Sequence, residues 1–226
     1  MADAHYTRLT AAADSFDEMM MQGFGVVTVM NATVYAFDKT ATDNKTPYEV
    51  VAALKDPLCT LDTLKVANVS LEGPSKTITG GQYANPLIKF GKTARLEMQD
   101  ALGHIDAIDA LCGGVAEHAE AADGKYIGLH VGGDFNTPVT IVGDTFFISH
   151  KTQQQVKATI IFYQFMPDSI FNLTQDADGD AAVFDMNGDL LATEVVIGTN
   201  NGTNVYHDMF YSIIDPQHNE SVTGDR

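Results

Sequence analysis

Hydrophobic and polar residues alternate with a period of two along most of this chain. The clearest run is Ala94-Arg-Leu-Glu-Met-Gln99: Ala94, Leu96 and Met98 fall on one side, Arg95, Glu97 and Gln99 on the other. That pattern belongs to a strand with one face on a core and one in water. Leu64 to Leu71 alternates in the same way until Glu72-Gly-Pro74 supplies turn residues. Gly25 to Phe37 is rich in β-branched and aromatic residues, which fit a pleated, half-buried surface. Further strands are expected at Tyr126–Val131, Val139–Val142, Thr145–Ile148, Val156–Phe165, Ser169–Thr174, Ala181–Met186, Leu190–Ile197 and Val205–Ile214. Gly143-Asp144 reads as a two-residue turn between two of these, and Asn187-Gly188 and Asn201-Gly202 are the strongest hairpin signals.

The period changes once. Ala101, Leu102, Ile105, Ile108 and Leu111 recur at helical spacing until Gly113-Gly114. This predicts one amphipathic helix over Asp100–Cys112, with Asp100 as N-cap and Asp106 and Asp109 on its wet face. Asp38 to Asp62 follows neither period. It runs Thr40-Ala-Thr-Asp-Asn-Lys-Thr46 into Pro47, then Tyr48-Glu-Val-Val-Ala-Ala-Leu54, with a second proline at Pro57. Two readings stand side by side: a long loop built for contacts, or a surface helix packed on its own core. On the first reading Pro47, Tyr48, Val51, Leu54 and Leu58 are the candidate subunit contacts. The expected architecture is a single domain over 1–226, mainly β. It is an antiparallel two-sheet sandwich or barrel with one flanking helix and extended loops or arms. An N-terminal arm at 1–22, the loop at 38–62 and a polar tail at 215–226 are the candidate flexible parts.

Composition narrows the function classes. At 226 residues the chain is long enough to bury a substantial core. A mean hydropathy of -0.05 with no apolar run near 18 residues predicts no membrane span and a soluble protein. The first eight residues lack the layout of a secretory signal, so synthesis in cytoplasm is expected. The six Asn-x-Ser/Thr triplets then read as turn-rich composition. Cys59 and Cys112 stand apart and outside any metal-binding spacing, so reduced thiols are expected. A formal net charge of -17 opposes binding to a phosphate backbone by neutralisation. The acids are also unevenly placed: Ala158 to Asp225 holds 11 of them and neither Lys nor Arg.

Candidate chemistry is sparse. The chain has no Walker A, HExxH, GxSxG or dinucleotide glycine pattern, and its seven histidines are scattered singly. Asp176-Ala-Asp-Gly-Asp180 resembles the start of an EF-hand loop. The sixth position, however, is Ala181 where the turn needs Gly, and the twelfth is Asn187 where a bidentate Glu is needed. With Asp185 and Asp189 close behind, an acidic connection between strands is the favoured reading. No cofactor, no metal and no enzymatic activity are expected.

Two stretches carry a family resemblance. Gly80-Gly-Gln-Tyr-Ala-Asn-Pro-Leu-Ile-Lys-Phe-Gly-Lys-Thr-Ala-Arg-Leu-Glu-Met-Gln-Asp-Ala-Leu-Gly103, continuing to Leu111-Cys-Gly-Gly114, is one. Thr159-Ile-Ile-Phe-Tyr-Gln-Phe-Met-Pro-Asp-Ser-Ile-Phe-Asn-Leu-Thr-Gln-Asp-Ala-Asp-Gly-Asp180, with Val183-Phe-Asp-Met-Asn-Gly-Asp-Leu190, is the other. Both resemble tail tube (major tail) proteins of tailed bacteriophages, in which a strand, Glu-x-x-Asp-Ala-Leu, a helix and a Gly follow a Gly-rich loop. The resemblance implies a structural virion protein whose sheets join those of neighbours in hexameric rings. The rings stack into a tail tube through which DNA is ejected without specific binding. It also implies tape measure, tail terminator and baseplate or distal tail proteins as partners. In such a tube Asp176, Asp178, Asp180, Asp185 and Asp189 are candidates for an acidic lumen, since acids repel phosphate over roughly 8 Å at physiological salt. Two rivals stand beside it: another β-sandwich of the same kind, such as a capsid decoration protein or a secretion-system tube subunit, and a calcium-dependent β-sandwich binding or adhesin module using Asp176, Asp178 and Asp180. An acid/base hydrolase is a third, and nothing in the sequence singles out its carboxylates.

Overall fold

The computed structural model describes residues 29–62, 64–73, 75–77, 87–89, 91–100, 105–112, 114–118, 126–131, 137–148, 155–168, 173–174 and 183–215. In chain order, the first half contains β1 (Val29–Ala36), α1 (Lys39–Thr42), α2 (Pro47–Ala53), β2 (Cys59–Leu61), β3 (Leu64–Glu72), β4 (Ser75–Thr77), β5 (Leu87–Lys89), β6 (Thr93–Asp100) and α3 (Ile105–Cys112). Among the described residues the second half contains strands only: β7 (Gly114–His118), β8 (Tyr126–Val131), β9 (Val139–Ile148), β10 (Gln155–Pro167), β11 (Leu173–Thr174), β12 (Val183–Leu191), β13 (Thr193–Asn200), β14 (Thr203–Met209) and β15 (Tyr211–Ile214).

Nine strands form one antiparallel sheet in the order β2-β1-β9-β10-β12-β6-β3, with β11 added to β12 and β15 to β10. The sheet curls, because β1, next to one end, also packs against β3 at the other. Inside the curl lies the larger core. Ala32, Val34 and Leu61 meet Leu96, Met98, Ile141, Ile160, Phe162, Phe165 and Leu190 there, and α3 contributes Ala107, Ile108 and Leu111. Phe162 and Tyr211 stack at a tilt across the β10–β15 pair, ring centroids 6.0 Å apart. The pairs β4–β5, β7–β8 and β13–β14 are separate two-stranded sheets.

A second core lies on the outside of the curl. Tyr35, Val142, Ile161 and Tyr163 project from the outer face of β1, β9 and β10, and α1, α2 and β13 cover them with Ala41, Val50, Leu54 and Val195. These three strands are therefore buried on both faces, which is why Thr159-Ile-Ile-Phe-Tyr163 reads as a continuous apolar run and not as an alternation. Two of the polar groups in that layer are satisfied across strands. The Thr140 hydroxyl donates to the Tyr163 carbonyl at 2.8 Å, and the Tyr163 phenol donates to Ser212 Oγ at 2.6 Å.

The mainly β, antiparallel architecture is as expected, and Ala94, Leu96 and Met98 face the core while Glu97 is exposed. Several local expectations are corrected. There are three helices among the described residues, not one. The predicted helix over Asp100–Cys112 is Ile105–Cys112, and Asp100 ends β6, paired to Leu64 and Phe184, so it is no N-cap. Asp109 is exposed and Asp106 half-buried. Gly143-Asp144 is no turn: Val139–Ile148 is one uninterrupted strand in which Gly143 faces Ala32 on one side and Ile160 on the other. Asn187-Gly188 also lies within a strand, where Gly188 is opposite Leu96 and Pro167. A Cβ there would meet the Met166 carbonyl at 2.2 Å and the Phe165 ring at 2.7 Å, so this glycine permits close approach of backbones. The expected strand Leu190–Ile197 divides at Ala192 into the end of β12 and the start of β13. Val205–Ile214 divides at Phe210, where β14 leaves for β13 and β15 joins β10. Asn201-Gly202 alone forms the hairpin it signals, with φ of 50° and 79° closing Asn200 against Thr203.

Candidate assembly surfaces

Three surfaces stand out once the two cores are accounted for. The first is the outer face of β6 and β12, which no described element covers. Alternation places Arg95, Glu97 and Gln99 outward from β6. On β12, Asp185, Asn187 and Asp189 alternate against the buried Met186, Gly188 and Leu190. The pairing sets Arg95 opposite Asp189 and Gln99 opposite Asp185. Arg95 is ion-paired to Asp168, reaches Asp189 at 3.4 Å and lies 3.8 Å from Glu97. The bond to Asp168 comes first among the causes that hold the guanidinium further above its ordinary pKa. Gln99 Nε2 donates to Asp185 at 2.9 Å. The base at the centre of this face is thus engaged by carboxylates, which leaves the face polar and acid-rich.

The second surface is the excursion at 38–62. It folds into two capped helices. Asp38 caps α1, accepting from the Thr40 amide and hydroxyl, both at 2.8 Å, and these bonds hold its carboxyl below the usual range. Thr46 and Glu49 form a reciprocal capping box on α2, with Pro47 in the first turn. The Thr46 amide and hydroxyl lower Glu49 likewise. Between the helices the backbone joins β13: the Asn44 amide donates to the Glu194 carbonyl and the Val196 amide to the Lys45 carbonyl. Of the candidate contacts, Leu54 is buried in the outer core, and Tyr48 and Val51 are half-buried and packed against it. Pro47 is half-buried at the helix start, and Leu58 lies apart from them and is 43% exposed.

The third surface is the β13–β14 hairpin and the groove beside it. One edge of β13 is taken by Asn44–Lys45 and the other by β14. The far edge of β14 has no strand beside it among the described residues. Its seven residues are exposed except for the half-buried Val205 and Met209. At its end opens a groove of about 440 Å³ lined by Leu71, Lys92, Asp208, Met209, Phe210, Tyr211 and Ile213.

Asp144 is the titratable group that sequence reasoning misplaced. It is buried in β9 between Asn31 on β1 and Thr159 on β10. Burial pushes its carboxyl up to about 6, partly opposed by the charge of Lys157. The signal that could have found it is the unbroken β-forming context on both sides, Val139 to Val142 and Thr145 to Ile148, which argues against a turn. The candidate lumen acids separate: Asp185 and Asp189 lie on the outer face of β12, while Asp176, Asp178 and Asp180 lie outside the described residues. Among the described residues no three His, Cys, Asp or Glu side chains gather in a way that could hold a metal ion. Nor is any described helix long and apolar enough to cross a membrane.

No protein-family model and no curated relative matches the chain. Among solved structures it is similar to a chain of the anti-feeding prophage baseplate determined by cryo-electron microscopy. The identity is 7% and the TM-score 0.37, over 88% of this chain and 100% of that one. A likeness of that size fixes neither a shared fold nor a shared role.

Proposed function

We propose that this protein is a structural virion subunit, a tail tube protein that assembles as stacked hexameric rings around a DNA channel. The observation that carries this reading is the two-sided construction of β6 and β12. Their inner face supplies Leu96, Met98, Met186 and Leu190 to the core, and their outer face carries Glu97, Asp185 and Asp189. A surface of that kind lining a channel repels a phosphate backbone and lets DNA slide. The two sequence stretches that resemble tail tube proteins contain these same two strands. Open sheet edges, a liability in a monomer, suit a subunit that completes its sheets with neighbours. The tube then acts by shape and charge, and chemistry at a catalytic centre has no part in it.

The test is negative-stain electron microscopy of the purified protein over a rising concentration series. Rings or hollow tubes of uniform width are expected. Single particles of subunit size at every concentration, with and without a pre-formed tail tip complex as template, would remove the proposal.

A further inference from the structure

Asparagine followed by glycine is prone to spontaneous loss of its side-chain amide, because glycine has no Cβ to hinder approach to its nitrogen. The chain contains two such pairs, Asn187-Gly188 and Asn201-Gly202. As dipeptides they are chemically equivalent, and the fold separates them.

In this reaction the glycine nitrogen attacks Cγ of the asparagine. A bond from nitrogen to Cγ closes a succinimide ring, the bond from Cγ to Nδ2 breaks, and Nδ2 leaves as ammonia with the proton that the glycine amide gives up. Water then opens the ring. Attack at Cγ leaves aspartate. Attack at the main-chain carbonyl leaves isoaspartate, whose backbone runs through the former side chain and is longer by a methylene. Water is the only co-reactant and ammonia the only product released. The nitrogen attacks in its deprotonated form, so the rate rises with pH. It reaches Cγ only after rotation about the bond between Cα and the carbonyl carbon of the asparagine, and what that rotation disturbs decides how often it happens.

At Asn201-Gly202 it disturbs little. Both residues are exposed, both have positive φ, of 50° and 79°, and they form the tip between Asn200 and Thr203, which pair across the turn. No atom lies within 4 Å of where a Cβ on Gly202 would be, so the glycine is open to solvent. In a two-residue hairpin loop the closing bonds belong to the flanking residues, and the amide of the second loop residue stays outside the ladder. Rotation at Asn201 therefore costs at most the end of one hairpin. At Asn187-Gly188 the same rotation would break up the central sheet. Asn187 pairs with Glu97 and its carbonyl accepts from the Asp168 amide at 2.7 Å. Gly188 is buried between Leu96 and Pro167 on the two neighbouring strands, hard against the Met166 carbonyl and the Phe165 ring.

We infer that Asn201 is a site of spontaneous deamidation in the folded protein, and that the central sheet protects Asn187. Each event adds a carboxylate to a chain whose formal net charge is already -17. The isoaspartate product also lengthens the turn that sets Asn200 against Thr203, so the tip of the β13–β14 hairpin loosens. The other end stays fixed, because Val195 is buried in the outer core and the Val196 amide donates to the Lys45 carbonyl.

The experiment is incubation of the full chain in mildly alkaline buffer, folded and in denaturant, with site-resolved peptide mass mapping over time. Isoaspartate is read separately by enzymatic methyl transfer to its carboxylate. In the folded protein Asn201 is expected to convert roughly tenfold or more faster than Asn187, since only the latter needs the sheet to open. In denaturant the two are expected to convert at similar rates. Equal rates in the folded protein, or a faster Asn187, would refute the inference. So would a folded protein in which Asn201 stays intact while the denatured chain converts there. Asn201→Gly keeps a residue that accepts positive φ and removes the reacting amide. It is expected to melt within a few degrees of the parent and to lose most of the isoaspartate signal. A folded variant that keeps that signal would place the reaction elsewhere and overturn the assignment; should it not fold, the site-resolved rates of the parent decide.

Discussion

β10 and β12 are hydrogen-bonded neighbours in one sheet, yet their outer faces have opposite fates. From Ala158 to Tyr163 β10 is buried on both sides, its outer residues Ile161 and Tyr163 covered by α1, α2 and β13. β12 is buried on one side only, and its outer face carries Asp185, Asn187 and Asp189. The difference lies in what covers each strand, since the backbone pairing is the same antiparallel ladder. It teaches that the 38–62 excursion closes one part of the sheet and leaves another part open, and that the open part is where acids have collected. Substitutions on the sealed side should therefore cost stability, and substitutions on the open side should not.

The largest expected effect is at the sealed strand. Phe162→Ala leaves a cavity in the inner core and should cost about 3–5 kcal/mol in denaturant unfolding, whereas Glu97→Ala on the open face should stay within about 0.5 kcal/mol. Equal effects would break the comparison. Gly188→Ala sits at the boundary between the two strands. Its added methyl drives into the Met166 carbonyl and the Phe165 ring, and a loss of about 3 kcal/mol is expected, read as a lower denaturant midpoint.

Asp144→Asn sharpens the comparison through pH. The folded-state pKa of Asp144, about 6, is above its ordinary value of 3.8, so the buried carboxyl prefers to keep its proton. Above pH 6 the charge is present in both states and its burial costs stability. As pH falls from 6 towards 4 the folded state binds the proton first and recovers that cost. The Asn variant should therefore be more stable than the parent by on the order of 2 kcal/mol at pH 8, with the gap closing below pH 4. A gap that widens in acid would contradict the assignment.

Smaller effects follow at the excursion. Thr46→Ala removes the α2 capping box and should cost about 1 kcal/mol, lowering the melting temperature by a few degrees. Thr193, where the chain passes from β12 to β13, has a buried hydroxyl without a hydrogen-bond partner among the described residues. Thr193→Val should be neutral or stabilising by up to about 1 kcal/mol in the same melt.

Much of the architecture is legible in the sequence because period-2 alternation survives where one face meets water, as in β6. It fails where strands are covered twice. The β9 run lost its alternation to double burial, and Gly143-Asp144 then looked like punctuation. The two Asn-Gly pairs make the same point: in Asn201-Gly202 the glycine supplies a positive φ, and in Asn187-Gly188 it makes room for Phe165. Local sequence cannot separate these uses, because the second depends on a residue 23 positions away. The same limit applies to the surfaces. Asp185 and Asp189 could be named from the acid run, but their common face with Glu97 depends on the β6–β12 register, and the open edge of β14 depends on what β13 is bonded to.

The central claim is that the open face of β6 and β12 lines a channel, and a cryo-electron microscopy reconstruction of the assembled protein tests it most directly. The account predicts a hollow tube with Glu97, Asp185 and Asp189 on its inner wall and α1 and α2 away from the channel. A tube with those three acids on its outside, or packed between subunits, would contradict it.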